Sequence, residues 1–151
     1  MSKFEPIFRI ELSPPESGNK TLRKHWSKRK KDNEAWAWEL LAALRKNDVK
    51  ISKQKPDKKR YFVFYLESCK PQDDNNFQLS IKGLVDEFQE GRTVDALIDD
   101  SPKYCRVFYV PVRTRIRKRK MFVELYEQDS FINRIDNDKE FKKLIFSLGD
   151  F

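Results

Sequence analysis

Two acidic pairs stand out as groups able to do chemistry. The stretch QDDNNF, Gln72 to Phe77, sets Asp73 and Asp74 ahead of two carboxamides, Asn75 and Asn76. Further on, LIDDSPK carries Asp99 and Asp100. Adjacent carboxylates repel each other, and phosphate repels both. A basic chain that keeps such knots has a use for a cation between them. Mg2+ takes one or two carboxylates, keeps several waters and reaches phosphate oxygens. Each knot also has a plainer reading: Asp73 or Asp74 as a helix cap, and DDSP as a turn, since Asp and Ser open turns and Pro fits them. Other catalytic sets are short of parts. One histidine, His25, builds neither a His-based metal site nor a Ser-His-Asp triad. Cys69 and Cys105 lack metal-type spacing and read as reduced thiols.

The elements that must hold these groups follow from periodicity. FRIEL, Phe8 to Leu12, alternates as a first strand, and SPPESGNK is a loop. KDNEAWAWELLAALRKN predicts a helix with Trp36, Leu40, Leu41 and Leu44 at helical spacing, capped by Asp32 or Asn33. RYFVFYLES is apolar at nearly every position, which predicts a central strand. From Asn75 to about Glu90 a second helix is expected, with Phe77, Ile81, Leu84, Val85 and Phe88 on one stripe and Gly91 ending it. Its opposite stripe is Asn75, Gln78, Lys82, Asp86 and Gln89, so Lys82 and Asp86 share a face with the acidic knot. YCRVFYVPV and KMFVELYE read as a hairpin joined by RTRIRKRK, and the tail from Phe131 as one or two short helices broken near DND. The whole is one α+β domain over residues 1–151: a mixed sheet of about four strands with helices packed on it.

A formal charge of +8 over 151 residues points to a polyanionic partner, nucleic acid first. No apolar run is long enough to span a bilayer and no signal peptide is legible, so the expected location is cytoplasmic, with no membrane partner and no small-molecule cofactor. Basic residues cluster in three runs. KTLRKHWSKRKK contains Arg23, Lys24, Lys28 and Arg29; KISKQKPDKKR ends at Arg60; RTRIRKRK contains Arg113, Arg115, Arg117, Lys118 and Arg119. The last run, as a hairpin tip, is the favoured site of phosphate contact. Trp38 suits a dimer contact, and so do the tail's Phe131, Ile132 and Phe146, unless those three close the core.

Taken in order, PPESGN, the His25-Trp26 segment, DDNNFQLSIKGLVDEF and LIDDSPK resemble the RusA family of Holliday-junction resolvases, from about Phe8 to Arg113. The resemblance implies a homodimeric endonuclease of phage or prophage type. Such an enzyme nicks four-way DNA junctions symmetrically with Mg2+, for which Mn2+ may substitute. It implies Asp73 and Asp100 as metal ligands and catalytic groups, and Lys82 as the basic residue at the scissile phosphate. Asn76, Asp86 and Asp99 would support the site, and Asn19 would join the DNA contacts. Where the family has its second acidic ligand this chain has Asn75, which offers a carbonyl oxygen without charge. Asp74 stands beside it as a replacement ligand. A junction-binding protein with a weakened or inactive site on the same fold is therefore the alternative from another class. An RNA-binding module has no RNP-type aromatic motif or GXXG loop behind it.

Overall fold

The computed structural model describes residues 5–14, 26–69, 81–115 and 117–148, with residues 26–30, 32 and 33 described by their backbone alone. In chain order the elements are β1 (Phe8–Leu12), α1 (Trp26–Lys46), β2 (Arg60–Ser68), α2 (81–86), β3 (Cys105–Arg113), β4 (Lys120–Glu127), α3 (Gln128–Asn137) and α4 (Lys139–Leu148). The four strands form one mixed sheet in the order β1-β4-β2-β3. β4 runs antiparallel to both β1 and β2, and β3 runs parallel to β2. The α+β class and the central position of β2 are as the sequence predicts.

Alternation along the strands sends successive side chains to opposite faces, and both faces are covered. One face presents Ile10, Phe62, Phe64, Leu66, Val123 and Leu125 to Leu40 and Leu44 of α1 and to Ile81, Leu84 and Val85 of α2. The other presents Tyr61, Val63, Phe108, Val110 and Tyr126 to α3 and α4. This explains why β2 reads as continuously apolar: it has no wet face. Each such side chain, once buried, contributes about 1.5–3 kcal/mol.

On the second face Phe131 is the hub. It is fully buried and stacks on Tyr61 at 4.2 Å and on Phe108 at 5.6 Å, with the edge of Tyr126 at 5.7 Å. Phe131 therefore closes the core and is not a dimer contact, whereas Ile132 and Phe146 stay exposed. The tail breaks where expected. Asp138 donates its N–H to Arg134 O at 2.8 Å, ending α3, and its Oδ1 accepts from Phe141 N at 3.1 Å, capping α4.

Three local expectations change. β3 and β4 are not a hairpin: β2 lies between them, and residues 114–119 arch over its end, where Thr114 N meets Ser68 O at 3.1 Å. Pro111, lacking an N–H, is tolerated because β3 is an edge strand. α1 already runs through Trp26, so Asp32 and Asn33 lie inside it rather than capping it. It ends at a left-handed Asp48 (φ 50°), where Val49 N bonds Leu44 O at 3.0 Å and Asp48 N bonds Arg45 O at 3.1 Å. α2 stops short of Gly91. The carbonyls of Glu87 and Phe88 accept from Val94, Ala96 and Leu97, so the chain doubles back, and Gly91 (φ 80°) serves that turn.

Candidate functional site: an acidic end and a basic arch

The acidic loop before β3 is tied down from below. Gln54, buried within the lysine-rich link, accepts from Ile98 N at 2.9 Å through its side-chain oxygen. Its amide nitrogen donates to Lys58 O at 2.8 Å and Tyr104 O at 2.7 Å. Arg60 is 1% exposed, and its guanidinium donates to Glu127 Oε1 at 2.6 Å, Ala96 O at 2.9 Å and Ser52 O at 2.7 Å. It thus bolts the first residue of β2 to the last of β4 and to both loops. Reading Arg60 as part of a DNA-contacting run is corrected by this burial. Neither Gln54 nor Arg60 is conspicuous in the sequence, because each stands among lysines and finds partners far along the chain.

On this base sit the acidic residues. Asp99 Oδ1 accepts from Ser101 N at 2.7 Å, and hydrogen bonds from the Ser101 hydroxyl first and then from this N–H hold its carboxyl below the usual carboxylate range. Ser101 O in turn accepts from Tyr104 and Cys105, both at 3.0 Å, which leads straight into β3. So Asp99 does the work of a turn residue, and leaves Asp100 exposed beside it. Asp86, half-buried on α2, accepts from Gln89 Nε2 at 3.2 Å. Burial first, and then the negative charge of Asp100, push the Asp86 carboxyl above its usual range, while Lys82 and Arg92 pull it back. Asp86, Asp100 and the exposed Lys82 therefore share one electrostatic neighbourhood. Buried Cys105 lies under it. Burial and the charge of Asp100 push its thiol up to about 12, which keeps it protonated and unreactive at neutral pH.

Asp86 feels the charge of Asp100 as well as that of Lys82 and Arg92, and Mg2+ needs only one or two protein carboxylates. Asp100 and Asp86 are the residues here that would hold it. Among the described residues no three His, Cys, Asp or Glu side chains group closely enough to form a metal site by themselves. Asp73, Asp74, Asn75 and Asn76 lie outside the described residues, as do Asn19, Arg23 and Lys24. Lys28 and Arg29 lie on the described N-terminal part of α1.

The basic arch stands at the other end of the sheet. Arg113, Arg115, Arg117 and Lys118 are exposed, and Arg119 is half-buried. Nη2 of Arg119 is buried and has no hydrogen-bond partner among the described residues. Register fixes the separation. Cys105, just after the acidic loop, pairs with Arg60, whereas Arg113, where the arch begins, pairs with Ser68. Those nine residues of β2 span about 26 Å at roughly 3.3 Å per residue. The lysines of the middle run are partly engaged: Lys58 bridges to Asp129 at 3.2 Å and Lys53 to Glu90 at 3.6 Å.

No helix among the described residues is long and apolar enough to cross a membrane. Comparison with protein-family models, with curated proteins and with solved structures finds no significant match.

Proposed function

We propose that this chain is a Mg2+-dependent, structure-selective DNA endonuclease that resolves four-way junctions by paired symmetric nicks, acting as a homodimer. The observation that carries the reading is the meeting of Lys82, Asp86 and Asp100. Lys82 and Asp86 stand one turn apart on α2, Asp100 comes from the loop before β3, and all three share one electrostatic neighbourhood and occupy three of the positions on which the resemblance to the RusA resolvases rests. A formal charge of +8 supports a polyanionic substrate, and the arginine-rich arch supplies donors to phosphate.

In this reading Asp100 and Asp86 would hold Mg2+, which would supply Lewis-acid chemistry at the phosphate, and the resemblance adds Asp73 and either Asp74 or Asn75 as ligands. Lys82 neutralises charge at the same phosphate. Asp99 holds the loop through Ser101 so that the Asp100 carboxylate stays presented. The arch takes backbone phosphates about 26 Å away, a span of roughly eight base pairs at 3.4 Å each. A two-fold dimer suits the approximate two-fold symmetry of a four-way junction. Asn75 favours the second reading, in which the chain binds junctions without cutting them. Incubating a labelled four-way junction with the protein and Mg2+ tests the proposal: paired nicks support it, and tight binding without nicks in Mg2+ or Mn2+ leaves the second reading.

A further inference from the structure

Helix α1 grips the sheet with one side, and among the described residues no other element packs on the opposite side. Leu40 and Leu44 are buried, and Trp36 and Ala43 pack beside them. Away from the sheet run Lys31, Glu34, Trp38, Leu41, Arg45 and, just past the helix end, Asp48. Their spacing alternates three and four, which is the a/d seam of a helix pair. Trp38 is 76% exposed, more than Ile132 or Phe146. Lys31, Glu34, Arg45 and Asp48 are exposed as well, and Leu41 is half-buried. Ala35 and Ala42, about one turn to either side of Trp38, are small and exposed, so an indole or a neighbouring helix can approach closely.

We propose that this seam pairs with the same seam of a second copy of the chain, antiparallel, about a two-fold axis between Glu39 and Leu40. In an antiparallel pair the a positions of one helix face the d positions of the other. Trp38 then lies against Leu41 of the second copy, Glu34 against Arg45, and Lys31 against Asp48. The two-fold axis repeats each contact. The apolar pair sits at the centre and the complementary charges flank it. A parallel pairing would set Lys31 on Lys31, Glu34 on Glu34 and Arg45 on Arg45, so the charges select the antiparallel arrangement. One helix pair buries on the order of 1,000 Å², the low end for a specific interface, so the dimer is expected to form and dissociate with concentration.

This rests on the homodimer of the reading above and deepens it by naming the surface; the test uses no DNA and no metal, so loss of the dimer through Trp38→Glu is read apart from loss of cleavage. Sedimentation velocity of the full chain, without DNA or metal and across a concentration series, is the test. Wild-type protein is expected to dimerise. Trp38→Glu is expected to be monomeric at the same concentrations and to melt as the wild type does when diluted to monomer, since the side chain is exposed. Glu34→Arg and Arg45→Glu, each placing like charges together, are expected to weaken the dimer at least tenfold, and the double variant E34R/R45E to restore it. A wild type that is monomeric throughout, a dimer indifferent to Trp38→Glu, or a double variant no better than the singles would overturn the proposal.

Discussion

At Asp86 the balance of charges makes a prediction with a definite sign. An unfolded chain ionises this carboxyl near 3.8, and in the folded protein burial and Asp100 hold it higher. The folded form therefore binds the proton more tightly, and ionising Asp86 costs stability. That cost is complete above the raised folded value and vanishes below the unfolded one. Asp86→Asn removes the charge but keeps an acceptor for Gln89. It is expected to melt above wild type at pH 7 and to converge with it below about pH 3. A cation held between Asp86 and Asp100 offsets the same repulsion, so adding Mg2+ should narrow the difference at pH 7. Arg60 makes the opposite case: its three acceptors surround one buried guanidinium. Arg60→Met should lower stability in urea by about 3–5 kcal/mol, the range for breaking a buried charged network. Arg60→Lys should recover little of it, because the donors of an ammonium all leave one nitrogen and cannot reach acceptors set around Nε, Nη1 and Nη2.

Between elements, local pattern and long-range pairing part company. β2 was legible as central because an unbroken apolar run needs two covered faces, and both are covered, by α1 and α2 on one side and by α3 and α4 on the other. The break at Asp138 was legible because an Asp there can end one helix and cap the next. The partner of β3 was not legible. Two strands joined by a short basic linker look the same whether they pair directly or flank a third strand, and only the sheet order separates the cases. Arg60 was hidden for a related reason, since Glu127, Ala96 and Ser52 come together only in the fold. Asp99 and Asp100 were readable both as turn and as ligand. The structure gives Asp99 to the turn, through Ser101, and leaves Asp100 exposed. The arch itself makes a prediction. Arg115, Arg117 and Lys118 are exposed, so replacing all three with Ala should leave the melt unchanged. Junction binding followed by anisotropy across salt concentrations should lose about 0.9 from its log-log slope for each phosphate contact removed. An unchanged slope would take the arch out of the DNA-binding surface.

For the whole molecule, the sheet acts as a ruler. It sets Asp86 and Asp100 near one end of β2 and the arginine arch at the other, with about 26 Å between them. The net charge of the chain is +8. In the proposed reading the Asp86 and Asp100 end would sit at one phosphate while the arch holds others further along an arm. The measurement that bears most directly on this account is cleavage of a labelled, branch-migratable four-way junction in Mg2+. Linear duplex and the Asp100→Asn protein are run beside it. The account predicts paired symmetric nicks in the junction only, lost in Asp100→Asn while junction binding persists, because binding rests on Lys and Arg. Junction binding with no nicks from wild-type protein in either Mg2+ or Mn2+, or nicks that survive Asp100→Asn, would contradict it.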